Sequence, residues 1–416
     1  MNILEKDILI LRQLGEEYMK YASLPVQREK LDLWKSLNSC KMERPMVIID
    51  QLPWNEICDI EPEAMKPQVS DSYWRQVECN LRQSIYKWKN FPVDMVLEPY
   101  ITIPAPINFS SYGLIPEEDI LVTSENETAS SHHYKATLKE PEDIGKIQDI
   151  KLSGNDSEAS LKLQEAEFIF EGIAAVKMSH GVQFHLGVWD RLSEYMSVEN
   201  VYFDLIDRPE FLHAAMRRIT DATLAGIKAA NELGLHDDIA SACHCSYVYT
   251  PELLPDFGMG QGPISKNCWA FGLAQLFTSV SPDITREFEL PYIKEMAAHF
   301  GMIYYGCCDR LDDRLDVIKQ IPNLKKLSCS PWSNRDNFAE KIGKKLVLSN
   351  KPTPAFLSDT SFDEDVVRKD IMHTINAARA NDVSLELILK DISTVKHDIS
   401  RLRRWHEIAM EAVMNY

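Results

Sequence analysis

The chain is 416 residues long, 45% apolar and 26% charged, with a formal net charge of −18; that length holds two average domains or one elaborated α/β barrel. The balance is that of a folded globular protein, and its acidity, without a dense Lys or Arg run, opposes nucleic acid and anionic lipid as partners. No run of about 18 apolar residues occurs, which argues against a membrane span. The opening M-N-I-L-E-K-D-I-L-I-L-R-Q-L carries acids inside its apolar stretch and has no small-residue cleavage site. A signal peptide is therefore not expected, and the cytoplasm is the expected location.

In chain order, residues 1–43 read as helical, with Ile3, Ile8, Leu11, Leu14 and Met19, then Leu31, Leu33, Trp34 and Leu37 near a 3.6 period. Arg44 to Asp50 reads as a first buried strand, residues 70–90 as an amphipathic helix, and Val93 to Pro104 as a second strand. A polar segment from Asn108 to Ala136, with His132 and His133, is long for a connection and reads as an insertion. Ile147 to Ser153 reads as extended, Ala159 to Met178 as helix, Val182 to Asp190 as a strand, and Pro209 to Leu233 as a long helix. Then come Ile239 to Ser246, Asn267 to Gly272 and Met302 to Asp309 as strand ends. Alternation continues with strands Leu324 to Ser330, Lys345 to Asn350 and Ser384 to Asp391, helices Asn334 to Ile342 and Asp363 to Ala380, and a last helix Ser400 to Met414. Repeated strand-helix units with apolar strands predict a parallel sheet, and about eight of them predict a (β/α)8 TIM barrel over 44–416, with 1–43 as a helical extension and with insertions.

Five of the nine cysteines, Cys243, Cys245, Cys268, Cys307 and Cys308, lie with His244 in that central stretch. Such tight pairs do not suit a disulfide framework, so metal binding or buried thiols are the two readings. Neighbours on a strand face opposite sides, so a three-point site takes one group from each strand end: His244 or a flanking Cys, Cys268, and Cys307 or Cys308. Thiolate with imidazole and one open position is a catalytic zinc arrangement. Lys390 and Asp391 end the last strand, and Tyr305 and Asp309 lie at or just past the end of another, where barrel enzymes collect catalytic groups. His185, Trp189, Asp190, Asp50 and Glu98 also end strand candidates, with structural roles as the competing reading. No G-x-G-x-x-G, G-x-S-x-G or phosphate loop occurs in a supporting context.

The segments W-D-R-L-S-E-Y-M-S-V-E-N (Trp189 to Asn200), D-R-P-E (Asp207 to Glu210), V-S-P with F-E-L-P-Y (Val280 to Tyr292) and N-K-P-T-P (Asn350 to Pro354) resemble the uroporphyrinogen decarboxylase superfamily, which includes cobalamin-dependent methyltransferases. The porphyrin-decarboxylating branch carries R-Q-A-G-R where this chain runs R-P-M-V-I-I-D-Q-L-P-W, and the last strand lacks the Cys of the thiol-methylating branch. The resemblance therefore implies a component that moves methyl from a small methylated substrate, such as a phenyl methyl ether, to cobalamin on a corrinoid protein. It implies zinc held by His244, Cys268 and Cys308, with Cys307 standing in for Cys308 and Cys243 or Cys245 for His244. A metal-free decarboxylase of the same fold and a non-catalytic ligand-binding barrel are the alternatives.

Overall fold

Apolar runs of four to six residues between helices form the strands that position the site. The computed structural model describes residues 3–122, 130–237, 241–253 and 263–416. The parallel strands are β1 (Met46–Ile49), β2 (Tyr100–Pro104), β3 (Ala175–Ser179), β4 (Trp269–Gly272), β5 (Met302–Tyr305), β6 (Leu324–Cys329), β7 (Val347–Asn350) and β8 (Ser384–Leu389). One six-stranded sheet runs β1-β8-β7-β6-β5-β4, each pair parallel. Its strands β1, β4, β5, β7 and β8 are buried at every position, as expected where helices cover one face and side chains fill the other.

Strands β2 and β3 pair in parallel apart from that sheet. Both edges of the six-stranded sheet touch their neighbours in sequence. Asp94 N–H donates to Val47 O at 3.1 Å on the β1 side, and Leu186 N–H to Phe271 O at 2.6 Å on the β4 side. The result is a mixed α/β protein with all strand C-termini of the main sheet on one side. Among the described residues, no helix is long and apolar enough to cross a membrane.

Helices Glu5–Ala22 and Pro25–Asn38 precede β1. Trp34, fully buried, donates its indole N–H to Asp94 O at 2.9 Å, while the Asp94 carboxylate holds Arg44 at 2.6 Å and the Val47 amide at 2.8 Å. Helix Ser72–Asn90 starts where Asp71 accepts from Trp74 N–H, and Glu364–Ala380 where Asp363 accepts from Asp365 and Val366 N–H, the expected N-cap chemistry.

Four expectations are corrected. Residues 175–178, read as the end of a helix, lie in β3, because pairing with β2 overrides a short ambiguous A-V-K-M pattern. Val182 to Asp190 is not a full strand: it makes one parallel bridge, His185 to Phe271, and helix Val188–Met196 begins inside it. In Val93 to Pro104 only the second half is strand. Finally, Ala242–Cys243 and Ser246–Tyr247 form a small antiparallel hairpin, which puts His244 and Cys245 at its turn rather than at the end of a parallel strand. Ile239 and Ala240 lie outside the described residues. The polar insertion folds as the antiparallel pair Glu117–Val122 and Ser130–Lys135.

An ion pair lies inside the core. Lys326 of β6 and Glu386 of β8, both fully buried, meet at 2.7 Å, and Lys326 also donates to Ser246 Oγ at 2.6 Å and to Tyr247 O at 3.0 Å. This bond set ties the 242–247 hairpin to the strands across β7.

Candidate active site

Cys307 and Cys308 follow β5 directly, after Gly306 at φ +87°. A Cβ on Gly306 would meet Leu311 Cδ1 at 2.6 Å, so glycine is needed both for the left-handed backbone and for the space. The turn is pinned by Asp309 Oδ1, which accepts from Cys307 N–H at 2.6 Å, and by Ser328 Oγ, which donates to Cys307 O at 2.7 Å. Lys390 and Asp391 follow β8 in the same way, Asp391 at φ +56°. His244, at φ +53° in the hairpin turn, stacks on Phe271 of β4 with centroids 3.9 Å apart and planes 12° apart.

These elements place three groups around one sulfur. Lys390 Nζ donates to Cys307 Sγ at 2.9 Å, His244 Nε2 stands 3.3 Å from it, and Cys308 Sγ is 3.5 Å away. Cys308 also donates its S–H to Asp391 Oδ2 at 3.1 Å, and Lys390 is 3.4 Å from His244 Nε2. Hydrogen bonding from Cys308, then from His244 and with the Lys390 charge, holds the Cys307 thiol well below the usual thiol range. The same bond to Cys307, together with burial, pushes Cys308 up. Burial works to lower His244, but its bonds to the Cys245 and Cys307 sulfurs outweigh this and lift it to about 9. One ionised sulfur among two cationic partners is the arrangement of an activated nucleophile or metal ligand.

Below this cluster, Cys245 Sγ lies 3.6 Å from Tyr304 Oη, which is 2.8 Å from Ser349 Oγ and accepts from Lys351 Nζ at 2.5 Å. Tyr304 and Lys351 are missing from the sequence-based candidates. The available signals were strand alternation and the position of Lys351 just past β7.

The structure separates several expected partners. Cys268 precedes β4 and hydrogen-bonds Ile264 O at the opposite end of the sheet; its carbonyl accepts from Gly301 N–H at the start of β5. Six residues of extended chain, about 20 Å, lie between that level and Cys307. The expected set of His244, Cys268 and Cys308 is thus corrected: a residue before a parallel strand cannot meet one after its neighbour. Burial also pushes Cys268 up to about 12. Tyr305 faces away from Tyr304, donating to buried Glu289 at 3.1 Å, because adjacent strand residues point to opposite faces. Asp309 supports the turn. Cys243 is buried, pushed up to about 12 by desolvation. Trp189 is core, donating to Phe288 O, Glu98 accepts from Tyr249, and Asp50 lies 3.9 Å from Lys87. The His185 ring meets Phe271 edge-on, and its Nδ1 accepts from Gly187 N–H at 3.2 Å. His132 pairs with Glu118 at 2.8 Å in the insertion.

Two tests follow. Tyr304→Phe is expected to lower turnover by about 10-fold or more by removing a positioned hydroxyl, whereas Tyr305→Phe should cost only about 1 kcal/mol of stability with turnover unchanged; steady-state rates and urea melts of both variants check this. Asp190 is lifted by burial to about 7. The folded state therefore binds its proton more tightly than the unfolded chain, so the Asp190 contribution to stability is fully present below about pH 4 and is lost as pH rises through about 7. In urea melts Asp190→Asn should gain on wild type at pH 8 and not at pH 4; an equal difference at both pH values would refute it.

Imidazole and two thiols form a soft and borderline donor set that fits zinc in kind. Spacings of 3.3 and 3.5 Å approach the roughly 3.5–3.8 Å edges of a tetrahedron with Zn–N of about 2.0 Å and Zn–S of about 2.3 Å. With side chains as they stand, no three His, Cys, Asp or Glu residues among those described converge on a metal position. Lys390, bonded to Cys307, competes with a metal for that sulfur.

By architecture this is an α/β protein whose polar groups gather at the C-terminal side of a parallel sheet. No protein-family model matches the chain, and no curated protein sequence matches it. Among solved structures, a methyltransferase from Methanosarcina mazei aligns with a TM-score of 0.50 over 91% of this chain and 97% of that chain, at 12% identity. The likeness is one of fold.

Proposed function

We propose that the chain is a methyltransferase that moves a methyl group from a small methylated substrate, such as a phenyl methyl ether, to cobalamin carried by a corrinoid protein. The observation that carries this reading is the convergence of His244, Cys307, Cys308 and Lys390 at strand C-termini, where barrel enzymes keep their reacting groups. The similar fold of the Methanosarcina mazei methyltransferase and the motifs from Trp189 to Pro354 support it. We further propose a closed (β/α)8 barrel of the uroporphyrinogen decarboxylase superfamily. The contacts from Val47 to Asp94 and from Phe271 to Leu186 support closure through β2 and β3.

In this reading zinc is held by His244, Cys307 and Cys308. When bound, it supplies Lewis acidity that lowers the charge on the departing heteroatom. The chain's own groups do the rest. Phe271 fixes the plane of His244, Lys390 balances the Cys307 charge, and Asp391, which accepts from the Cys308 thiol, would take up the proton released when that sulfur binds the metal.

Mixing the purified chain with cob(I)alamin and a panel of methyl ethers, methylamines and methyl thioethers should produce methylcobalamin, read from the loss of cob(I)alamin absorbance. Elemental analysis should find about one zinc per chain. If no donor is used and zinc is missing, the reading fails. A metal-free decarboxylase is then preferred, since the ammonium groups of Lys351 and Lys390 at the strand ends suit a substrate carboxylate.

A further inference from the structure

We propose that Cys307 and Cys308 form a reversible oxidation site that closes to a disulfide between adjacent residues. The proposal stands on geometry and does not depend on methyl transfer. The two sulfurs are already 3.5 Å apart, and a disulfide needs about 2.05 Å, so closure asks for a shift of roughly 1.5 Å. Gly306, with no side chain and φ +87°, is the hinge beside the pair. Closure must disturb the bonds of Cys307 to Asp309, Ser328, Lys390 and His244 and that of Cys308 to Asp391.

The surroundings assign the two sulfurs different roles. Cys307 is buried and ringed by Lys390 Nζ at 2.9 Å and His244 Nε2 at 3.3 Å, so positive groups favour attack from this sulfur. Cys308 is half-buried and reaches Asp391, which lines an open cleft of about 540 Å³ between residues 51–55 and 391–393. That cleft brings a small oxidant to the pair. A reactive sulfur with a resolving thiol beside it is the pattern of a redox-sensitive site. Three other thiols differ: Cys268 is at the other end of the sheet, and Cys243 and Cys329 are buried.

The oxidant is a peroxide. The Cys307 thiolate bonds to one peroxide oxygen as the O–O bond breaks, and the other oxygen leaves as hydroxide, which becomes water with a proton from the neighbouring His244 imidazolium. The Cys308 sulfur then attacks the sulfenic sulfur, and the hydroxyl leaves as water with the proton that Cys308 shared with Asp391. Two electrons pass from the thiol pair to the peroxide, and a dithiol reverses the change.

The test uses the full chain. After treatment with hydrogen peroxide and alkylation, the nine free thiols should fall by two, and the proteolytic fragment spanning Cys307 and Cys308 should be two hydrogens lighter, both restored by dithiothreitol. In Cys308→Ser the same treatment should leave a sulfenic acid on Cys307, trapped by dimedone. Should that variant misfold, the wild-type fragment mass decides alone. Cys307 and Cys308 both remaining alkylatable, a sulfinic acid on Cys307 without the bond, or a bond to another cysteine would each overturn the proposal. Fragment mass is independent of turnover: a disulfide in a chain that transfers no methyl leaves this site standing and removes the proposed function, and active enzyme without the disulfide does the reverse.

Discussion

Cys307→Ala is expected to reduce methyl transfer by about 10²- to 10⁴-fold, the range for removing a group at the reacting centre, while Cys268→Ala leaves it unchanged. Cys307 is the sulfur on which Lys390, His244 and Cys308 all converge. Its removal takes away the centre of the cluster at once and leaves the Lys390 ammonium with Asp391, 3.4 Å away, as its ion-pair partner. Cys268 sits before β4, facing Ile264 O, and touches none of these groups. Circular dichroism should show both variants folded, since each removes a single sulfur from the edge of a large core. Equal loss in both variants, or none in Cys307→Ala, would place the chemistry elsewhere.

The second large effect concerns stability. Lys326→Met should cost about 3–5 kcal/mol, the range for breaking a buried pair by removing one partner. Glu386 would be left fully buried with Ser246 as its remaining donor, and its Oε1 has no hydrogen-bond partner among the described residues even now. Lys326→Met combined with Glu386→Leu should recover most of that loss, because the unpaired charge goes with its partner. Urea melts at 25 °C of the single and double variants measure both. A single variant within about 1 kcal/mol of wild type would mean that water or relaxation already compensates Glu386.

The strands from Met302 onward were readable because each is a short apolar run between amphipathic helices, and the same pattern placed Lys390 and Asp391 at a strand end. Cys268 was misread as lying at a strand end, although it precedes the apolar W-A-F-G and so stands where that strand starts. The choice between Tyr304 and Tyr305 was not readable, since alternation says only that they differ and the facing side is set by neighbouring strands. Nor was the His244 turn. The hairpin is two residues long on each side, and it is held by Lys326 and Glu386, which are 80 and 140 residues from Ser246. Local propensity carries no information about bonds of that separation. Residues 175–178 were misread for the same reason, their strand character coming from pairing with β2.

Three residues of the cluster, His244, Gly306 and Asp391, hold left-handed backbone angles, and two of them carry side chains that resist this conformation. Those two, His244 and Asp391, are kept in place by tertiary bonds rather than by their own preference. Mild heating or low denaturant should release these turns before the sheet beneath them melts, because such segments open locally at a lower free energy than the whole domain. Catalytic half-life would then be shorter than the half-life of the fold. Storage, assay and any effort to harden the enzyme would be governed by three loop joints, while added strength in the core would go unnoticed.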